Sequence, residues 1–139
     1  MKNTLLLASI VVTLFGCASQ PMSNDESSHI PAEQRINGRL FISSPGTSEV
    51  TIKRDNSFGV PCSTKVFIDG APVADIYKTE KAVVWLPPGA YILSAKTNGI
   101  CGIKTGIVET GMTIKLGEKR SFRISLSGGG ELNLTPTAF

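Results

Sequence analysis

Val66-Phe67-Ile68-Asp69-Gly70-Ala71-Pro72-Val73-Ala74-Asp75-Ile76, followed by Trp85-Leu86-Pro87-Pro88-Gly89-Ala90-Tyr91-Ile92-Leu93, is the most patterned part of the chain. Asp69-Gly70 supplies the positive φ that a tight hairpin needs. Pro72 then fits only a turn or an edge strand, because it cannot donate to a ladder on both sides. Pro87-Pro88-Gly89 presets a turn between two strongly apolar runs. The pattern is strand, tight turn, strand, proline turn, strand.

Working outward, similar short β-branched and aromatic runs recur: Arg39–Ser43, Glu49–Lys53, Lys65–Asp69, Ala82–Leu86, Tyr91–Ala95, Met112–Leu116 and Ser121–Leu126. Turn signals separate them at Pro45-Gly46, Asn98-Gly99, Gly117-Glu118 and Gly128-Gly129-Gly130. Phe122, Ile124 and Leu126 alternate with Ser121, Arg123 and Ser125, the period of a strand with one buried face. Glu131–Leu134 repeats this more weakly. No long helical stripe is present, and Val73–Ala82 reads as one helical turn or an edge strand. The spacing predicts an all-β fold, a single antiparallel β-sandwich of about seven or eight strands, with a barrel as the alternative.

The order of turns over about residues 64–97 resembles the small β-sandwich modules of the PEGA and carboxypeptidase-regulatory type. That resemblance implies the sandwich fold and a non-catalytic role: packing against partners, binding glycans or spacing. It carries no binding residue onto this chain.

The N-terminus has a different character. Lys2 precedes an apolar run from Leu5 to Phe15, broken by Ser9 and Thr13. The run is shorter than the roughly 20 residues needed to span a bilayer. It has the charged, apolar, small-residue order of a secretory signal peptide. Leu14-Phe15-Gly16-Cys17 resembles the lipobox of bacterial lipoproteins, with Phe15 bulkier than the residue usual there. The resemblance implies cleavage before Cys17 and lipid modification of that cysteine (palmitate), giving a multi-chain anchor in the bilayer. Residue 18 is Ala, not the Asp that favours inner-membrane retention in enterobacterial lipoproteins. The expectation is therefore an outer-membrane lipoprotein facing the periplasm.

The division expected is 1–16 signal peptide, 17–37 lipidated Cys and flexible linker, and 38–139 sandwich. Ala18 to Arg35 is rich in Ser, Pro and charge and lacks apolar periodicity, which favours a linker. The only histidine, His29, falls within it and is read as solvated. With Cys17 used for lipid, Cys62 and Cys101 remain as an even pair in an oxidising compartment, and a disulfide between them is expected.

The composition limits the chemistry. The 139 residues hold 14 Lys+Arg against 11 Asp+Glu, a net charge of +3, which gives no reason to expect a concentrated nucleic-acid-binding face. One His and three Cys cannot make most zinc sites built from those residues alone. Gly99, Gly102 and Gly106 do not form a phosphate loop, Ser127-Gly128 lacks the setting of a nucleophile elbow, and the acids are isolated. No enzyme, metal or cofactor is expected. Two features are candidates for a binding surface. Lys119, Arg120 and Arg123 lie near one strand, with Lys53-Arg54 as prospective neighbours. Trp85 and Tyr91 flank the proline turn, where aromatic rings can anchor a partner or stack on sugar. The function expected is a non-catalytic binding or scaffold module, bound to an envelope protein as an accessory of an assembly such as a secretion or conjugation apparatus. The alternatives are an inhibitor of an envelope-attacking hydrolase, marked by an exposed loop that enters a cleft, and a glycan-binding module, marked by coplanar, solvent-facing Trp85 and Tyr91.

Overall fold

A computed structural model of the chain describes residues 19–57, 59–103 and 105–139. The expected signal peptide (residues 1–16) and the expected lipidation site, Cys17, lie outside the described residues. Among those described, the apolar alternation resolves into nine strands: β1 Ser28–His29, β2 Ser48–Arg54, β3 Thr64–Ile68, β4 Ala71–Ile76, β5 Glu80–Leu86, β6 Gly89–Thr97, β7 Val108–Ile114, β8 Arg120–Leu126 and β9 Leu132–Thr137. They form a five-stranded sheet, β1-β5-β2-β8-β9, and a four-stranded sheet, β4-β3-β6-β7. Each sheet turns one set of alternating side chains inward. Val50, Ile52, Val84, Phe122 and Ile124 come from the first sheet, and Val66, Ile76, Leu93 and Ile114 from the second. These belong to one buried core, so the expected all-β sandwich is the fold.

Local chemistry explains the turns. Asp69 and Gly70 have φ of 48° and 78°, as a tight β3–β4 hairpin requires. Pro72 sits in β4, at the edge of its sheet, beside an irregularity in the β3–β4 register. Pro87-Pro88 carries the chain from β5 in one sheet to β6 in the other. The glycine run closes the β8–β9 hairpin.

Three expectations need correction. The sheets are not wholly antiparallel: β2 runs parallel to β8, and β1 parallel to β5. β8 reaches β2 only after the chain has built the whole opposite sheet, so the long return allows either direction. The run Arg39–Ser43 is not a strand, since Gly38–Phe41 forms a 3-10 turn that packs Leu40 and Phe41 against the core. Finally, the folded body does not begin at residue 38. From Ser19 onward the segment read as a flexible linker lies along the five-stranded sheet. The Ser19 N–H donates to the Leu126 carbonyl (3.2 Å), that of Gln20 to Asn56 (2.9 Å), and that of Ile30 to Lys81 (3.0 Å). Ser27 and Ile30 are buried.

Cys62 and Cys101 form the expected disulfide, with Cα atoms 6.1 Å apart and a sequence separation of 39. It joins the β2–β3 connection to the 3-10 turn Gly99–Gly102 that follows β6. Gly102 is required there: a Cβ would stand 2.1 Å from the Thr97 carbonyl oxygen. Beneath this end of the sandwich, Arg54 is fully enclosed, and its Nη1 donates to the carbonyls of Cys62 (2.5 Å) and Ile76 (3.2 Å). Burial lowers its pKa, opposed by the nearby Glu80 carboxylate.

Candidate functional site

The outward positions of the five-stranded sheet are Lys81, Val83 and Trp85 on β5, Glu49, Thr51 and Lys53 on β2, and Ser121, Arg123 and Ser125 on β8, as the alternation with buried neighbours requires. The register places Lys53 opposite Lys81 on one side and opposite Arg123 on the other. His29 of β1 pairs with Lys81. Three cations thus stand side by side across three strands, an arrangement that is unfavourable unless opposed.

What opposes it comes from three separate segments. The Asp55 side chain, fully buried, accepts from Arg123 Nε at 2.9 Å and from Nη2. Its other oxygen accepts from the Met22 N–H at 3.2 Å. Lys81 Nζ donates to the Asn24 carbonyl, and Lys53 Nζ to the Phe139 carbonyl. The N-terminal strap and the C-terminal end are therefore held across the sheet by hydrogen bonds to Asp55 and to these lysines, and Asp55 supplies the opposing charge. Within the strap, the Ser23 backbone N–H and hydroxyl both donate to Glu26 at 2.8 Å, which lowers the Glu26 pKa. Lys53 is 1% exposed; burial lowers its pKa, Asp55 raises it, and Arg123 and Lys81 lower it further.

Beside the cation row lies a cleft of about 200 Å³ lined by His29, Ile30, Arg35, Phe41, Lys81, Val83 and Trp85. The Arg35 guanidinium carbon stands 5.3 Å from the Phe41 ring centroid, and Nη2 donates to the Ile30 carbonyl at 3.3 Å. One planar cation is thereby fixed over an aromatic ring at the mouth of the cleft. The 3-10 turn that replaced the expected strand supplies Phe41, and the docked strap supplies His29, Ile30 and Arg35. His29 is thus exposed, as expected, but stands at the end of β1 within the folded body and not in a linker.

The structure divides the candidate residues. Arg123 joins Lys53 and Lys81 in the row. Lys119 pairs with Glu49 at 3.4 Å and Arg120 with Glu118 at 3.3 Å, both near the start of β2 and β8, at the opposite end of these strands from Lys53. Arg54, adjacent in sequence to Lys53, points the opposite way into the interior. Trp85 lines the cleft on the five-stranded sheet. Tyr91 belongs to β6 in the other sheet, packs against the core and donates its hydroxyl to the Pro87 carbonyl at 2.8 Å. The two rings therefore form no shared stacking platform. Sequence reasoning missed Asp55, Lys81, Arg35 and Phe41. The visible signal was a Lys or Arg at the outward position of three strands, which becomes a row only once their register is known.

A second feature is the connection at 98–107. Ile100 and Ile103 are 81% and 80% exposed, and Ile107 is 53% exposed. The first part of the connection, Asn98 to Cys101, is held by the disulfide, by the Asn98 N–H on the Ser63 carbonyl (2.9 Å) and by Asn98 Nδ2 on Asp75 (2.7 Å). Among the described residues no group of three His, Cys, Asp or Glu side chains is placed to hold a metal ion. No family model matches the chain, and comparison with curated proteins finds no relative.

Proposed function

We propose that this chain is a lipid-anchored, periplasm-facing envelope lipoprotein that acts without catalysis, as a protein-binding module presenting the Trp85 cleft to an envelope partner. The observation that carries the reading is the gathering of Trp85, Phe41, Arg35 and Lys81 around one small cleft on a rigid sheet face. Trp and Arg are enriched among the residues that dominate binding energy at protein interfaces, and Arg35 is already ordered by its packing on Phe41. Two cations beside two aromatic rings favour a partner segment with a carboxylate next to an apolar side chain. The signal-peptide and lipobox pattern ending at Cys17 supports the anchor, and the disulfide agrees with an oxidising compartment.

The test is photo-crosslinking in the native envelope from a reactive group placed at Val83. A protein adduct that disappears with Trp85→Ala is the expected result. Adducts to glycan, or protein adducts indifferent to Trp85→Ala, overturn the assignment of a protein to the cleft. The anchor is tested separately: Cys17→Ala is expected to leave the precursor unprocessed and without acyl mass.

A further inference from the structure

We infer that the disulfide-bearing end of the sandwich rests on the phospholipid surface, with Ile100, Ile103 and Ile107 entering the headgroup–acyl boundary. This rests on the reading of Cys17 as the lipid anchor. A free tether of nearly twenty residues leaves the body's orientation open. The strap removes that freedom. The Ser19 N–H is bonded to the Leu126 carbonyl at 3.2 Å, the Ser19 hydroxyl accepts from the Leu126 N–H at 3.1 Å, and Gln20 bridges to Asn56. Only Ala18 separates Ser19 from Cys17. At about 3.3–3.6 Å per extended residue, the acylated sulfur's backbone lies within roughly 7 Å of Ser19. The end of the body holding Ser19 must then face the headgroups.

The topology specifies what else lies at that end. β2 and β8 run parallel and finish there together, with Arg54 beside Ile124. β3 begins and β4 and β6 finish there, through Thr64 paired with Ile76 and with Thr97. The 98–107 connection therefore projects from the anchored end, and so does the turn after β4 with half-exposed Tyr77. Ile100 and Ile103 flank the disulfide-bonded Cys101 and the Gly102 closed against the Thr97 carbonyl, and so form a held apolar tip, with Ile107 exposed just before β7. Such a tip loses no conformational freedom on insertion, unlike a flexible loop. Around it stand Lys96 and Lys78, both exposed, and Lys65, which is half-occupied by Asp75 at 3.8 Å. Their ammonium groups suit the phosphates of an anionic leaflet, while the isoleucines occupy the boundary beneath.

The experiment uses the full chain, expressed with its signal peptide, purified in detergent and reconstituted in phosphatidylethanolamine–phosphatidylglycerol vesicles with brominated acyl chains. The natural Trp85 reports on the opposite part of the sheet, roughly 16 Å along β5 from Glu80 by strand rise. Ile103→Trp on a Trp85→Phe background reports on the tip; position 103 is solvent-facing, so the fold tolerates the ring. The expected result is at least about twofold quenching of the indole at 103, which reaches the acyl boundary, and less than about a tenth for Trp85, which stands away from the acyl chains. Equal quenching at both positions, or none at 103 while mass spectrometry finds the acyl chains on Cys17, overturns the docking and leaves the anchor standing. Absence of acyl mass removes the anchor and the docking with it. A reactive group at 103 that links to a protein in the native envelope, with no quenching by bromolipid, overturns the docking in favour of a loop that enters a partner's cleft.

Discussion

Replacing Asp55 by asparagine removes one charge from the centre of the cation row while keeping the side chain's shape. Asp55 accepts two bonds from Arg123 and one from the strap at Met22, and its side chain is completely buried. Breaking an ion pair buried on both sides costs about 3–5 kcal/mol. Arg123 retains 28% side-chain exposure, so water offsets part of that loss and about 2–3 kcal/mol remains. The larger consequence is that Lys53, Arg123 and Lys81 face one another unopposed. Two unit charges about 6 Å apart repel by about 3 kcal/mol at an effective dielectric constant of about 20, an upper figure for side chains free to turn away. Lys53→Met deletes the central cation. On the Asp55→Asn background it should therefore restore roughly 1–2 kcal/mol, whereas in the unmodified chain it removes a cation that Asp55 already opposes. Urea unfolding at neutral pH, followed by the fluorescence of the single tryptophan Trp85, measures all four corners of this cycle. An Asp55→Asn loss below about 0.5 kcal/mol, or additivity of the two substitutions within that margin, would refute the reasoning.

Opening the disulfide with the double variant Cys62→Ala/Cys101→Ala should cost about 4 kcal/mol by the chain-entropy estimate for a loop of about 40 residues, lowering the melting temperature by roughly 10–20 °C. A calorimetric shift under about 3 °C contradicts it. Gly102→Ala forces the Cβ onto the Thr97 carbonyl oxygen, and should destabilise by about 2 kcal/mol or more, whereas Gly106→Ala, which meets open space, should stay within about 0.5 kcal/mol. Chemical denaturation of the two variants side by side decides it. The burial of Lys53 has a pH signature. Its folded pKa lies below its ordinary 10.5, so the unfolded chain binds more protons between the two values and stability rises with pH through that window. The unmodified chain should accordingly gain stability relative to Lys53→Met as pH rises toward 10.5. A difference between the two that stays constant across alkaline unfolding curves shows that the lysine does not carry the effect.

Most strands were readable because period-2 alternation is a local signal that burial of one sheet face imposes directly on the sequence. Phe122, Ile124 and Leu126 show it without any knowledge of their partners, and all three are core residues. Asp69-Gly70 was equally readable, since few residue pairs tolerate two successive positive φ values. Arg39–Ser43 shows the limit. Leu40, Phe41 and Ile42 have strand composition, but packing of Leu40 and Phe41 on the core beside β5 settles Gly38–Phe41 as a 3-10 turn. The strap was illegible for a related reason. Pro21, Ser23, Asn24 and Asp25 have the composition of a linker, and what orders them is hydrogen bonding to Leu126, Asp55 and Lys81, residues remote in sequence.

The amino-acid order alone determined the all-β class and the tight turns, and it raised the expectation of a Cys62–Cys101 pair that the structure bears out. Each of these follows from interactions within a few residues or from simple counting. Only the tertiary structure decided that Lys53, Lys81 and Arg123 stand in one row, that Trp85 and Tyr91 part to different sheets, and that the chain is docked from Ser19 onward. Register and sheet order are set by the joint burial of all the inner faces, a global condition that no short window of sequence contains.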